Sequence, residues 1–78
     1  MRVAQGVTLD RVPSGSRVIV RQIIGGAGVH TRLLQMGIVP GEVIEVISNN
    51  AGPVVIKVRG TIISIGRGIA RKIIVEKA

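Results

Sequence analysis

The sequence predicts an all-β domain: a small, partly open β-barrel of about five strands with one short helix. Two observations carry this. Ile and Val supply 26 of the 78 residues, and such β-branched side chains are stiff at χ1 and pack well on a pleated surface. Leu stands only at Leu9, Leu33 and Leu34. Turn signals also recur at short, regular intervals, leaving room for short strands between them. Closure is how small all-β domains hide their strand edges. The length suits one domain, so residues 1–78 are read as a single unit.

Residues 8–15 read as a turn that ends in the Pro13-Ser14-Gly15 bend. Residues 16–24 form the first strand, with Arg17 and Arg21 on one face and Val18 and Val20 on the other. Gly25-Gly26-Ala27-Gly28 breaks the pattern and leads into the helix. There Val29, Leu33 and Met36 fall at i, i+4 and i+7, which makes one apolar stripe. Gly37 stands where a left-handed C′ glycine ends a helix. Pro40-Gly41 turns the chain into a second strand over 42–48, and Asn49 to Pro53 is a loop. Residues 54–59 form a third strand, with Val54, Ile56 and Val58 on one face and Lys57 and Arg59 on the other. Gly60 turns it into a fourth, 61–65. Gly66-Arg67-Gly68 is a break with one helical turn through Ala70, and 72–76 is the closing strand.

Composition removes several function classes. There is no Cys, hence no disulfide framework, thiolate nucleophile or Cys-type metal site. Asp10, Glu42, Glu45, Glu76 and the single His30 are too few for a catalytic pair. No serine stands beside an evident base, so the chain is read as a non-enzyme. The start of the chain lacks the apolar core of a signal peptide. No apolar run approaches the ~18 residues of a membrane span. The expected location is the cytoplasm, peripheral to the membrane where a partner holds it there.

Neither glycine-rich segment is a nucleotide motif. Gly26-Ala27-Gly28 has Thr31 where a dinucleotide fingerprint needs its third glycine, and Gly66-Arg67-Gly68 has Arg71 there. The formal charge is +7, from eight Arg and three Lys against four acids. This excess suits an anionic partner. With no Phe, Tyr or Trp, the chain lacks the stacking platforms of single-strand binders. A basic nucleic-acid-binding barrel, held by phosphate contacts through Arg17, Arg21, Lys57 and Arg59, is therefore the alternative and not the leading reading. His30 is the one candidate ligand for Fe2+ or another divalent transition metal, with Glu42 or Glu45 beside it, and their spacing matches no known metal motif. Leu34 is turned about 100° from Leu33 on the helix. It is a candidate contact residue wherever Leu33 points into the core.

The run Leu33-Leu34-Gln35-Met36-Gly37-Ile38-Val39-Pro40-Gly41 resembles the leucine-x-x-methionine-glycine-isoleucine-x-proline-glycine signature of the FeoA family, ferrous iron transport protein A. Leu9 to Gly15 is similar to that family's opening turn. Gly52-Pro53 followed by Val55, Val58 and Gly60 is similar to its hairpin. Ile63, Gly66, Ala70 and Ile73-Ile74-Val75 are similar to its closing segment. The resemblance spans roughly residues 7–76 and implies an SH3-like barrel. It implies a partner too: ferrous iron transport protein B, a membrane permease with a cytosolic GTPase domain. Related domains end metal regulators of the diphtheria-toxin-repressor type, where they act as interaction modules and can supply a metal ligand. With no Cys and one His in this chain, the implied role is regulatory docking and not the carriage of iron. The expected contact surface is the helix and the turn after it: Arg32, Leu34, Gln35, Val39 and Pro40. The edges of an open barrel also make pairing between copies, a homo-oligomer, an expectation.

Overall fold

Along residues 54–58 every second side chain is apolar, and the structure buries Val54, Ile56 and Val58 while Lys57 faces out. The same alternation builds the rest of the sheet. The computed structural model describes residues 6–78, so the reading of the first residues as free of an apolar leader lies outside the described residues. In chain order the elements are β1 (Val7–Thr8), a 3-10 turn (Leu9–Arg11), β2 (Arg17–Ile23) and α1 (Ala27–Gln35). They continue with β3 (Val43–Ser48), β4 (Val54–Val58), β5 (Thr61–Ile65), α2 (Arg67–Ala70) and β6 (Ile73–Lys77). No described helix is long and apolar enough to cross a membrane.

The sheet runs β1-β6-β2-β3-β4-β5, and every neighbouring pair is antiparallel. It curls round one apolar core to which each of the longer strands contributes, with Leu9, Leu33 and Ile38 entering from outside the strands. β1 and β5 are its two edges, so the barrel stays open between them, as the sequence predicts. The strand count differs by one: among the described residues there are six, because Val7 and Thr8 pair with Val75 and Ile74, just before and at the first residue of the segment read as a turn.

Two register shifts give the sheet its curl. Against β6, the pairing steps from Val20 to Gln22, which leaves Arg21 as an extra residue. Against β4, it steps from Val46 to Ser48, which leaves Ile47 extra. Bulges of this kind bend a strand and raise its twist. The first one also resets which side chains face in. Strict alternation after Val20 would bury Gln22, whereas the structure exposes Gln22 and buries Ile23.

A polar knot ties the loops at the end of β3. The Asn49 side-chain amide donates to the carbonyls of Asp10 (2.9 Å) and Val12 (2.6 Å), and the Asn49 backbone N–H donates to Ser14 Oγ (2.8 Å). Arg67 of α2 reaches the same place. Its Nη1 lies within hydrogen-bond distance of Asn49 Oδ1, Asn50 O and Gly52 O (2.8–2.9 Å), and its Nη2 donates to Asp10 O (2.9 Å). Arg67 presents fixed, planar donors to several carbonyls at once, which a lysine could not match. Three segments distant in sequence are thereby held without a disulfide. Replacing Asn49 by Ala takes the side-chain donor from the Val12 carbonyl and one of two from the Asp10 carbonyl. It should cost about 1–3 kcal/mol of stability in urea unfolding, whereas Asn50→Ala, which removes only an exposed bond to Ser48, should stay within about 0.5 kcal/mol of the parent.

Candidate functional site

The helix α1 ends by a rule its sequence carries. Met36 is the C-cap. The N–H of Gly37 donates to Leu34 O and that of Ile38 to Leu33 O, both at 2.9 Å. This pair of bonds is the Schellman motif, which needs a left-handed residue at the position of Gly37. The Gly37 φ of +82° meets that need. The hydrophobic partnership that accompanies the motif joins C3 to C″, here Leu33 and Ile38. Both are fully buried.

A second turn follows at once. Glu42 N–H donates to Val39 O at 3.0 Å. Pro40 supplies a fixed φ at the second place and Gly41, with φ +96°, the left-handed third place, the pattern of a type II turn. The turn is fastened to β2, since Gly41 N–H donates to Val20 O (2.7 Å) and Val20 N–H to Glu42 O (2.9 Å). From Leu33 to Glu42 the backbone is thus fixed at both ends, and what projects from it projects in a set direction.

That projecting set is the one the sequence picks out. Leu33 is 0% exposed and Leu34 is 61% exposed, so the turn of about 100° between them separates core from surface. Val29 and Met36, half-buried against the core, complete the expected inner stripe. Arg32, Gln35 and Pro40 are exposed and Val39 is half-buried. A large, exposed apolar side chain thus stands on a fixed frame, with basic and amide groups near it in the chain.

One neighbour of this surface is not evident from the sequence. Arg59, in the loop between β4 and β5, adopts a left-handed φ of +53°, which is unfavourable for a long side chain. Its side chain lies over Gly37, with Cδ 3.6 Å from the position a β-carbon there would take. It reaches Glu42, Nε to Oε1, at 3.3 Å. The hairpin loop and the helix end are therefore adjacent, and the sequence holds no signal for this because the pairing spans 17 residues.

The outer sheet face mixes charges. Arg17 pairs across to Glu45 and Glu45 across to Lys57, so an acid sits between two bases. Arg21 is bonded to Glu76 at 3.0 Å. Arg17, Arg21, Lys57 and Arg59 all face solvent, as the alternation predicts, but three of the four acids stand among them. A duplex or strand of phosphates needs a more uniform positive track.

His30 is exposed on α1. Glu42, its expected companion, is engaged by Arg59. Among the described residues no three His, Cys, Asp or Glu side chains come together as metal ligands, so the groups round His30 do not fit a resident metal. No described arrangement provides a nucleophile with a base.

Fold and site together define a small barrel domain that presents a fixed helix end. The chain belongs to the FeoA family: the FeoA-domain family model matches residues 7–77. It is 50% identical over 64 residues, 82% of this chain and 78% of the relative, to "Putative Fe(2+) transport protein A" of Methanocaldococcus jannaschii. A crystal structure of an iron uptake regulatory protein (FeoA) superposes with a TM-score of 0.89 at 35% identity, covering 94% of this chain and 99% of that one. The solution structure of a FeoA-like protein from Clostridium acetobutylicum gives 0.85 at 28% identity, covering 96% and 90%.

Three substitutions test the helix end. Gly37→Ala meets only ordinary van der Waals contact with Arg59, so its cost is that of the backbone conformation, about 1 kcal/mol in chemical denaturation. Leu33→Asp should abolish cooperative folding. Leu34→Asp should shift the denaturation midpoint by no more than about 0.5 kcal/mol of stability.

Proposed function

We propose that this chain is a small accessory and regulatory protein of ferrous iron uptake. In this reading it docks on the cytosolic part of a ferrous iron permease that carries a GTPase domain, and it stays at the inner face of the membrane through that partner. Iron is the permease's cargo and not a ligand of this chain. Family membership supports the process. The observation that carries the docking role is Leu34, 61% exposed on a helix whose neighbouring Leu33 closes the core. Exposed leucines scattered over a surface mean little, but this one stands at the capped end of α1, between Arg32 and Gln35 in the chain and just ahead of the turn at Pro40.

The partner's surface should offer an apolar recess for Leu34 and acceptors for Arg32 and Gln35. A few well-packed residues near the centre of an interface carry most of the binding energy, and rim charges mainly set encounter rates. The interleaved charges on the sheet face favour this protein-contact reading over nucleic acid binding.

Calorimetry of the purified chain against the cytosolic domain of the permease from the same source tests the proposal. At ~150 mM salt, long-range attraction between exposed charges is largely screened. Binding should persist there and should weaken at least about tenfold with Leu34→Asp. Unchanged affinity in that variant would remove the helix end from the interface. Absence of binding, together with tight RNA binding that falls steeply as salt rises, would favour the nucleic-acid reading.

A further inference from the structure

Away from α1, two hollows lie on either side of one ridge. The larger, about 750 Å³, is bounded by β1, the segment after the 3-10 turn, the start of β2 and the end of β6. Its lining is mixed, with Val7, Val12, Pro13 and Val18 as the apolar side chains and Ser16 as a neutral polar one. Its cations are Arg11, Arg17 and Lys77. Among the described residues none of these three is in an ion pair. Glu76, the acid in the lining, is held by Arg21. The smaller hollow, about 330 Å³, has Lys57 and Arg59 round Glu45. Gly15 and Arg17 line both, so the two hollows run together across that ridge.

The sequence does not bring these groups together. Arg11 and Lys77 lie at opposite ends of the chain. They meet because β6 lies between β1 and β2, which sets Lys77 opposite Val18, and because Ala78 N–H donates to Arg17 O (3.1 Å).

We propose that this basic, partly apolar groove docks an acidic peptide segment of a partner protein. An apolar side chain of the segment enters the larger hollow, and its carboxylates lie against Arg11, Arg17 and Lys77. Charge complementarity selects this occupant. Unpaired cations at the rim of a partly apolar recess match alternating acid and apolar groups, and Arg takes a carboxylate through two parallel hydrogen bonds. A nucleic acid fits less well, because Glu45 and Glu76 interrupt the track and no aromatic ring is present to stack on a base. A lipid surface fits less well, because the cations surround a concavity and not a flat face. The inference does not depend on the permease reading, since it uses no residue of the helix end.

The probe is a fluorescein-labelled peptide, acetyl-Asp-Glu-Asp-Leu-Leu-Asp-Glu, titrated into the full chain with amide chemical shifts followed in parallel. Shifts should concentrate at residues 7–18 and 75–78. Arg17→Glu combined with Lys77→Glu should weaken binding by at least about tenfold. A peptide with both leucines replaced by serine should bind about tenfold more weakly. Leu34→Asp and Arg32→Glu should leave the affinity unchanged, which separates this site from the helix end. No shifts at millimolar peptide would overturn the proposal. So would equal weakening by Arg32→Glu, which marks unspecific attraction to net charge. Preferential binding to phosphatidylglycerol vesicles or RNA, lost in the same Arg17 and Lys77 variant, would assign the groove to a different occupant and overturn it too.

Discussion

The two hydrogen bonds that close α1 onto Leu33 and Leu34 are the constraint on which the exposure of Leu34 depends. By fixing Gly37 in a left-handed conformation they drive Leu33 and Ile38 into the core together, and the same geometry leaves Leu34 outside. A helix of nine residues is too short to be stable alone in water. It exists because Leu33 is buried, with Val29 and Met36 packed on the core from one side. The type II turn at Pro40-Gly41 then hands the chain to β3 with its backbone bonded to β2. Stability and the placement of Leu34 are consequently one property here, and a change that loosens the helix end also unfixes that side chain.

Much of this was legible in the sequence because it is local. The spacing of Val29, Leu33 and Met36 gives the buried stripe, Gly37 the stop, and Pro40-Gly41 the turn, each set within a few residues. The alternation of β4 gives its inner face directly. What escaped depends on residues far apart in the chain. The bulge at Arg21 follows from pairing with β6, and it moves Ile23 inward where alternation places Gln22. Val7–Thr8 becomes a strand only because β6 offers it an edge. The Asn49–Arg67 knot joins three loops, and the meeting of Arg59 with Glu42 unites a hairpin loop with a helix end. Composition and periodicity carry no information on such pairings.

The exposed charges are unevenly paired over the surface. Among the described residues three ion pairs contribute little each to stability, but they leave neutralised areas beside areas of unpaired positive charge. The helix end shows an apolar residue with modest charge about it. The groove beside β1 shows cations round a partly apolar lining.

Amide hydrogen exchange of the chain, alone and saturated with the permease's cytosolic domain, tests the central claim most directly. The account predicts slowed exchange concentrated in residues 30–42, with the strands of the core unchanged. Slowing confined to other faces of the barrel, with residues 30–42 exchanging as in the free chain, would contradict it.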